Sequence, residues 1–194
     1  MFLFLDVASP IPEFHLINDK KIIDSIKIIE NSDEKLSEKI IPIYLTINNT
    51  YNLSNNITKL IITIGPGSYT ALRVGASFIA GLGQSISLPV SLISNETIYE
   101  CLFDSNIQTG IYFESSNNQK FFLYKKGSQF VHEKIVNENY FLPESISRVF
   151  YNFNPPKFID KKINSEIFSM KEVVLKNFHI LEFKKHLIIK PIYI

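Results

Sequence analysis

The sequence predicts an α/β protein in two lobes, and three observations carry that reading. A β-branched apolar run, Leu60-Ile61-Ile62-Thr63-Ile64, is short enough for a buried strand and is followed at once by a tight turn and a helical pattern. Upstream of it lie three strand signals and an amphipathic helix, and downstream a further strand and helix. From about Asp104 the elements become shorter and more exposed, which sets the expected division at residues 1–103 and 104–194, with packing of the last segment back on the first lobe left open as an alternative.

The central strand–turn–helix is justified residue by residue. Pro66 fixes φ between Gly65 and Gly67, and Ser68 offers its hydroxyl as an N-cap to a helix expected over Tyr69–Gly83. Ala71, Gly75, Ala76, Ala80 and Gly81 are small enough for close packing on two sides, and each glycine costs about 1 kcal/mol relative to alanine. Arg73 is the only charged residue between Lys59 and Glu96, so a carboxylate or carbonyl partner is expected for it.

In chain order, Met1–Val7 reads as a buried strand that carries Asp6 near its end. Glu13–Ile17 and Ile22–Ile29 read as two strands joined by the turn Asn18-Asp19-Lys20-Lys21. Leu36, Ile40, Ile43 and Ile47 recur at helical spacing, widened by Ile41, Tyr44 and Leu45, with a kink or late start expected from Pro42. Asn48–Thr58 reads as a polar loop, Pro89–Ile93 as a strand and Asn95–Phe103 as a helix capped by Asn95. Beyond Asp104, strands are expected at Gly110–Phe113, Lys120–Tyr124, Gln129–Val136 and Lys157–Asp160, and a short helix at Leu142–Phe150.

Composition bounds the function. The 194 residues are 45% hydrophobic and 20% charged with net charge +1, which argues against a dedicated nucleic-acid domain. A single cysteine, Cys101, fits a reducing compartment, and no leader or membrane-spanning stretch is read, so the expected compartment is the cytoplasm. His15, His132, His179 and His186 lack acidic partners at metal-ligand spacing, so no metal site is expected. The lysines of the last segment, Lys176, Lys184, Lys185 and Lys190, read as a solvated face rather than a tRNA-binding patch.

The glycine-rich turn invites a phosphate-binding reading, with Asp6, Gly65, Gly67 and Ser68 as its candidates. Thr70 stands where a dinucleotide fingerprint needs its third glycine, Pro66 removes an amide donor, and no lysine follows as a P-loop requires. The serines show no nucleophile-elbow context, so no catalytic set emerges.

Gly65-Pro66-Gly67-Ser68-Tyr69-Thr70-Ala71-Leu72-Arg73-Val74-Gly75 resembles the signature of the TsaB (YeaZ) family, Gly-Pro-Gly-Ser-Phe-Thr-Gly-Leu-Arg-Ile-Gly. The strand ending in Asp6, the helix before the signature and the terminal Pro191-Ile192-Tyr193-Ile194 fit that family along the whole chain. The resemblance implies an actin/Hsp70/sugar-kinase-like fold whose second lobe is reduced. It implies a non-catalytic subunit of the machinery that forms threonylcarbamoyladenosine beside the anticodon of tRNAs. The catalytic paralogue TsaD would be its partner and the ATPase TsaE would join them, with ATP and metal on those partners and tRNA met only indirectly. A homodimer is the alternative state of the isolated chain. Val7-Ala8-Ser9-Pro10 and Glu114-Ser115-Ser116 depart from the family where a kinase would hold phosphate, which fits a pseudoenzyme. The alternative is a small ATP-dependent kinase or hydrolase of the same fold superfamily, binding nucleotide at Asp6 and the Gly65 turn. Peptidase activity would need a nucleophile or metal that the sequence does not supply.

The expected partner surface combines Leu36, Ile40, Tyr44 and Ile47 with Tyr69, Leu72, Arg73, Ala76, Phe78 and Ala80. Two apolar-striped helices, one lined with small residues, would supply half of a four-helix contact.

Overall fold

Asp19 and Lys20 adopt φ of +46° and +62°, and this left-handed pair folds the first two strand signals into a hairpin. The strands are β1 (Phe2–Asp6), β2 (Glu13–Asn18) and β3 (Lys21–Lys27). Two helices follow, α1 (Leu36–Tyr51) and the short α2 (Leu53–Asn56), then β4 (Lys59–Gly65), α3 (Tyr69–Ser85), β5 (Val90–Ser94) and α4 (Asn95–Leu102). The second half holds β6 (Thr109–Glu114), β7 (Lys120–Lys126), β8 (Gln129–Ile135), β9 (Arg148–Tyr151), β10 (Asn164–Ile167) and α5 (Met170–Lys176). The structure is a computed structural model that describes residues 1–31, 33–137, 140–160, 162–185 and 188–194.

Two five-stranded sheets result, and the chain traces the same path through both. In the first, β1–β2 and β2–β3 pair antiparallel, β4 joins β1 in parallel and β5 joins β4 in parallel, giving the order β3-β2-β1-β4-β5. In the second, β6–β7 and β7–β8 are antiparallel, β9 is parallel to β6 and β10 to β9. Two lobes of related topology are what the resemblance implies. The fold is α/β with mixed sheets.

Strand alternation divides the core between two faces of the first sheet. Leu3, Leu5, Leu60 and Ile62 point to the face covered by α1 and α3. Phe4, Ile17 and Ile61 point the other way, onto α4 and α5, where Ile98, Tyr99, Val173 and Val174 meet Ile111, Phe113, Phe121 and Leu123 of the second sheet. On the outer face of the second sheet Tyr112, Phe122 and Val149 pack with Ile146, Tyr140 and Phe158.

Several elements differ from their sequence-based expectation. Pro42 does not interrupt α1; it sits on the exposed side, as does Glu38, whose carbonyl loses its amide partner. The polar loop expected at 48–58 is largely helical, because the Asn48 side chain accepts from both Ser54 N and Ser54 Oγ at 2.8 Å, while Asn52 takes the left-handed cap with φ 50°. Ser94 rather than Asn95 caps α4, forming a capping box with Thr97. The helix expected at Leu142–Phe150 is absent: Arg148–Tyr151 is a strand beside β6, and Lys157–Asp160 is not a strand, its place in the sheet falling to β10.

After α5 and a 3-10 turn at Phe178–Ile180, the chain returns across the first sheet. Val90 and Lys184 exchange backbone hydrogen bonds of 2.9 and 3.0 Å, and Ile192 N donates to Ile64 O at 2.8 Å.

Candidate functional site

Asp6 stands at the end of β1 beside β4, the position where the fold offers an acid to its cleft. Its Oδ1 accepts from Ala8 N at 3.1 Å, Ser9 N at 3.2 Å and Thr63 Oγ1 at 3.0 Å, and its Oδ2 accepts from Ser9 Oγ at 2.5 Å. Thr63 Oγ1 in turn accepts from Val7 N and Ala8 N. Burial raises the Asp6 pKa above the usual carboxylate value, and the hydrogen bonds from Ser9, Thr63 and Ala8 pull against that rise. The carboxylate is committed to holding the 7–9 loop.

The repeated sheet path places Glu114 at the equivalent end of β6. This acid is also occupied. Tyr112 OH donates to its Oε1 at 3.0 Å and Asn154 Nδ2 to its Oε2 at 3.2 Å, while its backbone exchanges two hydrogen bonds with the Asn152 side chain.

The Gly65–Ser68 turn contains a cis Gly65–Pro66 bond. Gly65 has φ +101°, and a Cβ there would lie 2.8 Å from Ile192 O and from Leu72 Cδ1. At Gly67 a Cβ would lie 3.2 Å from Ala8 Cα. Both glycines are therefore accounted for by backbone approaching backbone. Ser68 Oγ caps α3 by accepting from Ala71 N at 3.5 Å, and buried Asn95 donates to Pro66 O at 3.3 Å. Beside this turn lies a cavity of about 400 Å³ between Pro10–Pro12, Glu34–Ser37 and Ser68–Ala71.

A second cleft of about 180 Å³ lies between the sheets, lined by Asp6, Glu13, His15 and Lys171. His15 Nδ1 is 3.0 Å from Ser25 Oγ, and that hydroxyl oxygen accepts from Lys171 Nζ at 3.1 Å. Nothing in the sequence linked these three residues. Burial, helped by Lys171, pushes the His15 pKa down to about 3, so its imidazole is a poor base and does not activate Ser25. Burial raises Glu13.

Among the described residues no group of three His, Cys, Asp or Glu side chains is placed to hold a metal ion. Two of the histidines do have an acid nearby in space: His132 Nε2 lies 2.7 Å from Glu96 Oε1 on α4, and His15 Nε2 lies 3.7 Å from Glu13 Oε2. His186 lies outside the described residues. Burial, with Glu100 adding to it, pushes the Cys101 thiol up to about 11, away from reactivity.

The expected partner surface is divided by the structure. Leu36, Ile40, Tyr44 and Ile47 turn inward, Ile40 with 2% and Ile47 with 3% of their surface exposed, and Leu72 and Ala76 are also buried. Tyr44 packs on Phe78 with ring centroids 5.3 Å apart, and both pack on Phe14. These side chains belong to the chain's own core. Phe78 and Ala80 are half-buried, and Tyr69 and Arg73 are exposed. The apolar residues left outward on α1 are Ile41 and Leu45, 55% and 51% exposed; on α3, Ser77 and Gly81 face solvent. Arg73 has no carboxylate or carbonyl partner among the described residues. Its guanidinium lies over the Tyr69 ring at 4.2 Å.

The family model described as "TsaD: tRNA N6-adenosine threonylcarbamoyltransferase" matches residues 27–131, more than half of the chain. No curated protein matches it in sequence. Among solved structures, YeaZ from Pseudomonas aeruginosa is similar with TM-score 0.66 at 12% identity, covering 100% of this chain and 99% of that one. A protein described as uncharacterized, with similarity to peptidase YEAZ from Pseudomonas aeruginosa, gives TM-score 0.58 at 12% identity over 91% of this chain and 90% of that chain. At such identities these structures establish the shared fold. Among the described residues no helix is long and apolar enough to cross a membrane.

Proposed function

The chain belongs to the TsaD family, and from that membership we propose that it is a non-catalytic, TsaB-like subunit of the machinery that forms threonylcarbamoyladenosine on tRNA. Its role is to bind a TsaD-type transferase and hold it competent, with a TsaE-type ATPase joining the complex in the cytoplasm. ATP and metal belong to those partners, and tRNA is met through them. The isolated chain uses the same face to form a homodimer. The reading treats residues 1–103 as the partner-binding unit and 104–194 as the reduced second lobe.

One observation carries the non-catalytic reading: the two acids at equivalent strand ends, Asp6 and Glu114, are both satisfied by the chain's own donors. A kinase or hydrolase of this fold needs such groups free for metal or phosphate. The docking reading rests on α1 and α3, which lie side by side through Tyr44 and Phe78 and still present Ile41, Leu45, Ser77 and Gly81 outward. A Cβ at Gly81 would meet nothing within 4 Å, so another helix has room to approach there.

Ile41→Glu and Leu45→Glu test the proposal. Both variants fold, and each weakens binding to the purified TsaD-family transferase of the same organism by orders of magnitude, since the charge must be desolvated on docking. Reconstituted tRNA modification falls with it. Undiminished binding and modification by both folded variants refutes the docking face. Tight ATP–magnesium binding by the isolated chain in calorimetry refutes the non-catalytic reading.

A further inference from the structure

α3 carries a single charge, and the structure holds that charge in place. Arg73 is exposed, and no hydrogen bond or ion pair joins its guanidinium to any described residue. It lies over the ring of Tyr69, 4.2 Å from its centroid. Tyr69 in turn packs on Tyr193 with ring centroids 4.7 Å apart, and Tyr193 follows directly on Ile192, whose amide is bonded to Ile64 O at 2.8 Å. The last segment of the chain thus braces an aromatic pair that supports a guanidinium, one helical turn before Ser77 and two before Gly81.

We propose that Arg73, braced by Tyr69 and Tyr193, is the anchor for a carboxylate on the protein that docks across α3. The proposal rests on the docking reading above and names the chemistry of its contact. A guanidinium keeps its charge at every physiological pH and presents a planar fork of N–H donors that matches a carboxylate in bidentate geometry. Stacking removes part of the side-chain freedom that a contact would otherwise have to freeze, so the residue is pre-organised for binding. The small residues at 77 and 81 let an incoming helix lie close enough for an acidic side chain to reach it. Charge selects the partner class. Nucleic-acid backbones are held by several cations acting on successive phosphates. Arg73 is the only charged residue of α3, and the two charges of α1, Glu38 and Lys39, pair with Lys35 and Glu34 just ahead of that helix. One rigid cation in an uncharged helix face suits one carboxylate.

The test measures binding of Arg73→Ala, Arg73→Lys and Tyr193→Ala to the purified TsaD-family transferase at low and high salt, with Ile41→Glu alongside and circular dichroism on each variant. Arg73→Ala is expected to weaken binding about 10- to 100-fold and to flatten its salt dependence. Arg73→Lys recovers only part of the loss because it lacks the fork, and Tyr193→Ala gives a smaller loss through the brace. If Arg73→Ala binds like the parent with the same salt dependence while Ile41→Glu fails, the anchor is wrong and the docking face stands. If neither substitution matters, or the parent does not bind, the docking reading falls and takes the anchor with it. If Arg73→Ala keeps its protein affinity but loses retention of a tRNA transcript, the anchor reads nucleic acid and the proposal is overturned.

Discussion

Replacing Asp6 separates a carboxylate that organises a loop from one that does chemistry. In Asp6→Asn the amide oxygen takes the Oδ1 place and keeps its three donors, while the amide nitrogen meets Ser9 Oγ, whose hydroxyl turns to accept. All four contacts survive, so stability at pH 7 stays within about 1 kcal/mol of the parent. Asp6→Ala removes every acceptor. Ala8 N retains Thr63 Oγ1, but Ser9 N loses the acceptor it has in the fold, a cost of about 2–3 kcal/mol. Burial raises the native pKa above the ordinary aspartate value of 3.8, so the native state holds this proton to higher pH than the unfolded chain does. The resulting stabilisation is full below the unfolded value and is lost as pH rises through the native one. The asparagine variant lacks this dependence, so its stability relative to the parent increases over that interval and levels off above it. Denaturant unfolding of the three proteins from pH 3.5 to 8 measures both effects, and groups common to all cancel in the differences. An asparagine variant more than about 2 kcal/mol below the parent at pH 7, or a difference that is flat with pH, refutes the reasoning. An asparagine variant that folds but no longer supports tRNA modification assigns the carboxylate to chemistry instead.

His15 should remain uncharged from pH 8 down to about 4 in an NMR titration, because burial lowers its pKa from 6.5 to about 3. The unfolded chain then takes up a proton that the native state refuses, so stability declines as pH falls from 6.5 towards 3 by at most about 1.4 kcal/mol per unit; His15→Gln should flatten that decline in urea unfolding. Gly110→Ala places a Cβ 2.2 Å from Cζ of the fully buried Phe122, and the forced repacking should cost about 1–3 kcal/mol in thermal unfolding. Lys59 Nζ lies 4.4 Å from the Phe183 ring and 5.4 Å from those of Phe2 and Phe178; Lys59→Met should cost about 1 kcal/mol and Lys59→Arg less.

The first sheet was legible because its central strands are long, apolar and bounded by turn residues. The second sheet was legible in β6, β7 and β8, which form where strands are expected, but not in β9 and β10, and the reason is specific. Ile146, Val149 and Phe150 recur three and four apart, as on a helix face, yet Arg148–Tyr151 is a four-residue strand whose parallel partner is nearly forty residues earlier. Likewise Asn48 has the composition of a loop residue, yet its side chain accepts from Ser54 and ties α1 to α2. At the candidate site, Asp6 could be picked out as a strand-end acid, but its partner Thr63 is 57 residues away. No local pattern announces that pairing, nor which residues of the last segment meet the Gly65 turn.

Periodicity also reports an apolar face without saying what covers it, and α1 shows the consequence. Leu36, Ile40, Tyr44 and Ile47 form the stripe that the spacing picks out, and the first sheet consumes it. Ile41 and Leu45 look like its margin in sequence and are the apolar surface that remains. Adjacent isoleucines therefore have opposite expected responses to the same substitution. Ile40→Glu buries a carboxylate among Leu, Ile and aromatic side chains, which costs several kcal/mol and unfolds a domain of ordinary stability. Ile41→Glu leaves the charge in water, and the isolated chain should lose no more than about 0.5 kcal/mol. Thermal unfolding of the two variants, each free of any partner, measures the contrast directly. Equal losses in both would mean that α1 does not present the face assigned to it. A large loss at 40 with none at 41 makes Ile41 the substitution whose effect on binding can be read without a folding defect beneath it.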